Sequence, residues 1–243
     1  IKVGIWDAGS VRRTHQEFTN GRVTNINAVA TDDHATHVAG TIGAAGVTAN
    51  ARGMATNVWI ASYDWNDDYA EMTAAGAATA TQSNKVPISN HSYGYNATTA
   101  DMGVYNDEAV TMDALLVGLP YYLPFWAAGN EQDELTDKGG YQSITYLGLA
   151  KNLITIGAVN DAVSGTNRSL PGATIAYFSS LGPSDDGRIK PDVVANGIDL
   201  YSTIDTSDTA YDSYSGTSMA TPSSAGSAAL LAQLYQREFS GQF

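Results

Sequence analysis

Twenty-four consecutive residues carry no charge, SYSGTSMATPSSAGSAALLAQLYQ from Ser213 to Gln236, and this run constrains the chain more than any other stretch. It is either a membrane span or a helix packed inside protein. A span needs about 20 mostly apolar residues, whereas eight of these 24 are Ser or Thr. Small residues recur at Ala220, Ala225, Gly226, Ala228 and Ala229, and bulk arrives only with Leu230, Leu231, Leu234 and Tyr235. The pattern predicts a buried helix over Ser218–Arg237, entered through Gly216-Thr217-Ser218. Pro222 must lie in its first turns, because a proline deeper in a helix removes a hydrogen bond and clashes with the carbonyl four residues back. That carbonyl belongs to Ser218, so the backbone is loosened where a serine hydroxyl stands at the helix start.

Upstream, short apolar runs alternate with helical stretches. Strands are predicted at Lys2–Trp6, Val58–Tyr63, Pro87–Tyr93, Tyr122–Ala127, Leu153–Val159 and Ile175–Phe178, and helices at Ala35–Ala45, Tyr69–Ser83, Ala100–Leu116 and Ser218–Arg237. Strands separated by helices predict an α/β fold, a mostly parallel central sheet with helices on both faces. Sites in such sheets gather beyond the carboxyl ends of the strands. Asp7, Ser92–Gly94 and Gly129–Asn130 all follow predicted strands.

A chain of 243 residues with no repeats fits one domain, expected over 1–243. It opens directly on the strand-like IKVGIWDAG with no leader in view, from which segments flanking the domain on both sides are expected to be missing. The formal net charge of −13 argues against nucleic acid as a partner. The absence of cysteine excludes disulfides, thiolate metal sites and a cysteine nucleophile.

Acyl transfer by a nucleophile needs a hydroxyl, a base within hydrogen-bond reach and a carboxylate that fixes the base's tautomer. Asp7 ends a strand, His34 opens a helix in HATHVAGTIGA, and Ser218 opens the final helix. A serine there meets the positive end of the helix dipole and the free N–H groups of the first turn. Asn130, in AAGNEQ, can offer a side-chain amide to an oxyanion. Each feature alone has a plainer reading as a cap, a turn former or a structural histidine; their joint occurrence carries the weight. His37, one turn beyond His34, and His91 read as structural, and Trp6 and Trp126 as core.

The strings WDAG, DDHATHVAGTIGA, AAGN and SGTSMATP, in that order, resemble the four signature blocks of the subtilisin-like serine proteases, the subtilases. FSSLGPSDDGRIKPDVVANG resembles the segment that precedes their serine block, so the likeness runs over nearly the whole chain. It implies a subtilisin-like fold and a serine endopeptidase. Ser218 would be the nucleophile, His34 the general base and acid, and Asp7 the residue that orients the imidazole. Asn130 would be the oxyanion donor. Ser92, Tyr93 and Gly94 would pair with substrate backbone, and Ala127, Ala128 and Gly129 would form one wall of the specificity pocket. It also implies polypeptide substrates, a pro-segment as a partner before maturation, a secreted or extracellular location, no membrane association, and no cofactor for the chemistry.

Two positions depart from the pattern: Ala8 replaces the usual small hydroxyl residue after the aspartate, and Ala35 the usual glycine after the histidine. The calcium loop that many subtilases insert after the histidine helix is reduced to a short Gly-Val-Thr-Ala-Asn piece. A structural calcium stays open, with no site identifiable in the sequence and no metal ligand named. Asp64, Asp67 and Asp68, with Glu131, read either as a bias toward basic residues near the cleaved bond or as a merely acidic surface, with Tyr63, Trp65 and Tyr69 as a floor to the same groove or as core. The alternative function is a non-catalytic subtilase-like binding or scaffold module. An esterase of the α/β-hydrolase type is disfavoured, because Ala220 stands where G-x-S-x-G needs glycine and the order is Asp-His-Ser.

Overall fold

The structure, a computed structural model, describes residues 1–77, 85–94 and 98–239. In chain order the strands are β1 (Lys2–Asp7), β2 (Val23–Asn25), β3 (Trp59–Asp64), β4 (Ile88–His91), β5 (Leu123–Ala127), β6 (Ile154–Val159), the hairpin β7 (Val163–Ser164) and β8 (Asn167–Arg168), then β9 (Val193–Asn196), β10 (Leu200–Thr203) and β11 (Tyr211–Tyr214). Seven of them form one parallel sheet in the order β2-β3-β1-β4-β5-β6-β9. Helices α1 (Asp33–Gly43) and α4 (Thr217–Glu238) cover one face, α2 (Asp68–Gly76) and α3 (Asp107–Val117) the other.

The alternation of side chains along a strand decides which residues reach which layer. In β1, Val3 and Ile5 pack with α1 and α4, while Trp6 joins the core beneath α2 and α3. Asp7 continues the Val3–Ile5 series, so it emerges at the end of the strand toward α1. That helix starts where the Asp32 side chain accepts the Ala35 amide at 2.9 Å, which meets one of the unpaired donors of a first turn.

Most predicted elements lie within a residue or two of their observed bounds. Ile175–Phe178 is not a strand: Ile175 makes an isolated bridge to Val159 and the chain then turns. The edge of the sheet is instead β9, four residues from KPDVVANG whose two valines are half-exposed; it is too short, and too exposed on its outer side, to show a buried-strand pattern. α3 begins at Asp107, capped by the Asn106 side chain on the Ala109 amide, and not at Ala100. α2 ends at Gly76, and residues 78–83 of the helix predicted there lie outside the described residues. Among the described residues no helix is long and apolar enough to cross a membrane.

α4 is buried over its first half only. Met219, Ala220, Ala225 and Ala229 are packed, but Leu230, Leu231 and Leu234 face solvent, which corrects the expectation of a helix buried along its length. Pro222 is its sixth residue. Having no N–H, it leaves the Ser218 carbonyl without its helical partner, and that carbonyl accepts the Ser92 hydroxyl at 2.9 Å. After α1 the chain folds onto the Glu17 carboxylate, which accepts the amides of Gly46, Val47 and Thr48.

Candidate active site

Strands β1, β4 and β5 are adjacent in the sheet, and the segments that leave their carboxyl ends carry Asp7, Ser92–Gly94 and Gly129–Asn130. α1 and α4 bring His34 and Ser218 to the same rim, each as the second residue of its helix. Residues 211 positions apart in sequence thus come to the same rim because a parallel sheet sends all its strand ends the same way.

Asp7 is 1 % exposed and both its oxygens lie 2.9 Å from His34 Nδ1. Its Oδ1 also accepts the Ala8 amide at 2.8 Å. A buried carboxylate on Nδ1 places the imidazole proton there and leaves Nε2 as the basic atom. Burial works to lower the His34 pKa, but the charge and hydrogen bond of Asp7 and the charge of Asp32 outweigh it, so the value lies above the ordinary 6.5. Asp7, Asp32 and His34 each bring one potential ligand atom within 4.8 Å of the others, the one such grouping among the described residues. Asp7 is committed to His34 and Ala8, and Asp32 to the start of α1.

The Ser218 hydroxyl donates to the Ser92 carbonyl at 3.0 Å, and the Ser92 hydroxyl returns a bond to the Ser218 carbonyl. Asn130 is fixed by its oxygen, which accepts the Thr217 amide at 2.9 Å and the Thr217 hydroxyl at 3.1 Å. With Oδ1 so held, Nδ2 is the end of the amide left to face the cleft, next to the Ser218 N–H in the first turn of α4, where helix geometry provides no partner. A pocket of about 120 Å³ opens here, lined by Tyr93, Gly94, Ala127, Gly129, Asn130, Thr217 and Ser218 among others.

Of the residues read from the sequence, Tyr93, Gly94, Ala127, Gly129, Asn130 and Ser218 line this pocket. Ser92 and Ala128 are buried just behind it. Thr217 and Thr145 were missed; Thr217 carries an Asn130 contact that no sequence pattern announces, and Thr145 comes from a remote loop. Glu131 does reach the pocket, its carboxylate lying over Gly129 and accepting the Ser180 hydroxyl at 2.9 Å. Burial raises its carboxyl above the ordinary value. Asp64 and Asp68, by contrast, are buried and hydrogen-bonded, so of the three acids on that segment only Asp67 is exposed to a substrate. Tyr63 is core, stacked on Trp6 at 4.1 Å, whereas Trp65 is exposed. His37 is structural: it bonds the Leu200 carbonyl, stacks on Tyr214, and burial pulls its pKa down to about 4.

A parallel α/β sheet with an imidazole–carboxylate pair, a helix-start serine and an anchored amide at its carboxyl rim defines the class of the serine peptidases. Residues 6–242 match the model of the Subtilase family, and the chain belongs to that family. It is 30% identical over 247 residues to subtilisin DY of Bacillus licheniformis, an alignment that covers 97% of this chain and 77% of that protein. Subtilisin NAT of Bacillus subtilis subsp. natto is 29% identical, over 82% of this chain and 45% of its own length. In structure the chain is similar to the prenylagaramide maturation protease PagA (TM-score 0.74, 21% identity, 98% of this chain and 77% of that one). It is likewise similar to a cold adapted subtilisin-like serine proteinase (TM-score 0.64, 23% identity, 99% and 77%).

Proposed function

We propose that this protein is a serine endopeptidase that works through an acyl-enzyme. The Ser218 hydroxyl attacks the scissile carbonyl while His34 Nε2 takes its proton. Asp7 holds the imidazole by Nδ1 and stabilises the imidazolium. Negative charge that develops on the carbonyl oxygen is met by Asn130 Nδ2 and the Ser218 amide. The tetrahedral intermediate collapses as His34 returns the proton to the leaving amine, and water then hydrolyses the ester by the same steps in reverse. The observation that carries this reading is the two-oxygen contact of buried Asp7 with His34 Nδ1.

In the free protein the Ser218 hydroxyl rests on the Ser92 carbonyl. An extended substrate that pairs with Ser92–Gly94 as an added strand competes for that carbonyl with its own N–H. Substrate binding then releases the hydroxyl to turn toward His34, in keeping with the looser catalytic contacts of unliganded enzymes.

The finer readings follow from the family. Residues 1–243 act as one peptidase domain on polypeptides outside the cell, with the pro-segment as its partner before maturation, and the chemistry uses no metal. Glu131, on the wall of the pocket, favours a basic side chain there. The test is covalent labelling with a fluorophosphonate and mapping of the adduct. We expect label on Ser218, none in Ser218→Ala and a much slower reaction in His34→Ala. Folded protein that takes no label refutes the proposal and leaves a non-catalytic module.

A further inference from the structure

β4 and its continuation carry two separate polar chains, one on each face. On the side of α4, Asn90 Nδ2 donates to Ser92 Oγ at 2.9 Å and Ser92 Oγ to the Ser218 carbonyl. The odd-numbered side chains Ser89, His91 and Tyr93 point the other way, as the period of a strand requires. Ser89 Oγ lies 2.8 Å from His91 Nε2, His91 Nδ1 lies 3.0 Å from the Tyr93 hydroxyl, and that hydroxyl donates to Asp68 Oδ2 at 2.8 Å.

The donors of this chain all run in one direction. A carboxylate only accepts, so Tyr93 gives its proton to Asp68 and accepts from His91 Nδ1–H. The neutral imidazole then accepts at Nε2 from the Ser89 hydroxyl. Burial holds His91 neutral, pulling its pKa down to about 3. Its ring is sandwiched between the indoles of Trp126, at 4.3 Å and 3°, and Trp6, at 5.1 Å and 16°. Asp68 is buried, and its other oxygen accepts the Tyr69 amide at the start of α2. Trp126 Nε1 in turn donates to the Tyr93 carbonyl at 3.0 Å.

An apolar trio would fill the same space without risk. A buried imidazole and carboxylate are costly unless every polar atom is partnered, and a fully partnered chain makes the backbone that carries it rigid. The segment made rigid here is Ser92–Gly94, tied through Asp68 to the start of α2 on the neighbouring wall. We infer that Asp68 and His91 are positioning residues that hold Tyr93, and with it the Ser92–Gly94 edge, in register for an incoming peptide backbone. This rests on the proposed pairing of that edge with substrate.

Asp68→Ala removes the terminal acceptor, and Asp68→Asn keeps an oxygen in its place. With a peptide that spans four residues before the cleaved bond, Asp68→Ala is expected to raise KM about tenfold, as the loss of a buried charge-assisted bond implies, while kcat changes less than twofold. Asp68→Asn restores most of the difference. In a Tyr93→Phe background, where the hydroxyl is already gone, Asp68→Ala adds less than twofold, the coupling expected of partners in one network. Additive losses in the two variants, a fall in kcat with KM unchanged, or no change at all overturns the inference. Hydrolysis of a single-residue ester by the wild type reports on the catalytic reading separately; a wild type inactive toward it removes the premise and the inference together.

Discussion

Glu17 offers the sharpest test of how this fold holds its active-site layer together. Its carboxylate is fully buried. Oε2 accepts the amides of Gly46 at 2.6 Å and Val47 at 3.0 Å; Oε1 accepts the Thr48 amide at 2.8 Å and the Tyr211 hydroxyl at 2.7 Å. Three successive amides and a phenol from β11 thus converge on one group, which fastens the segment after α1 to the rest of the domain. The buried Arg22 guanidinium reinforces the corner by donating to the carbonyls of Glu17, Gly43 and Val58. Glu17→Gln is nearly isosteric but turns one oxygen into an NH2 that faces two donors. Two charge-assisted bonds are lost, at roughly 1.5–3 kcal/mol each, so about 3–6 kcal/mol of stability should go. For a domain of this size that is a fall in Tm of about 10 °C. The pH dependence gives a second handle. Burial alone would raise the Glu17 carboxyl, but the hydrogen bonds of Thr48, Tyr211, Val47 and Gly46 outweigh it and hold the folded-state value below the ordinary 4.5. The stabilisation is therefore complete above the unfolded value and is lost as pH falls through the folded one. Urea unfolding in a Ser218→Ala background, which avoids self-digestion, should show a gap between the two proteins that is constant near neutrality and shrinks in acid. A gap under about 1 kcal/mol at pH 7, or one that widens in acid, would falsify the clamp.

Four further outcomes are expected. In the proposed mechanism activity requires neutral His34, whose pKa is raised by Asp7 and Asp32 against burial, so kcat/KM should climb with pH through a midpoint above 6.5; Asp32→Asn should move that midpoint down by a few tenths of a unit, and an upward move contradicts the assignment. Asn130→Ala should lower kcat by about 10²–10³, the cost established for an oxyanion donor of this kind in the family, with a smaller effect on KM; single-turnover rates below tenfold lower would remove Asn130 from that role. Gly40→Ala sets a helix-propensity gain of about 1 kcal/mol against a methyl driven into Ser202 Oγ and Thr203 Oγ1. Both hydroxyls are tied to α1 carbonyls and cannot swing aside, so a net loss of about 1–3 kcal/mol is expected on chemical unfolding. Glu131→Gln should lower the preference for lysine over leucine in a peptide library about fivefold, and an unchanged profile shows that the pocket carboxylate does not select charge.

The sequence alone determined the architecture and named the principal residues of the proposed site. Both are written in local patterns: the alternation of Lys2–Trp6, the capped helix at His34, the uncharged run from Ser213 that holds Ser218, and blocks such as SGTSMATP whose residue types and order leave little freedom. It also contained the consequence of Pro222, since the carbonyl that a proline strands follows from counting back four residues. What the sequence could not supply was the partner that took up that carbonyl, Ser92, which lies 126 positions away. Contacts between distant segments leave no periodicity to read, so β9 at the sheet edge, the Thr217 support of Asn130 and the Glu17 clamp came only with the tertiary structure. The acids near the groove show the difference most plainly. Asp64, Asp67, Asp68 and Glu131 are the same kind of residue in the sequence, but packing alone decided that Asp64 and Asp68 turn inward to hydrogen-bond donors while Glu131 lines the pocket. Burial and direction are properties of what surrounds a side chain, and a chain's surroundings exist only once it has folded.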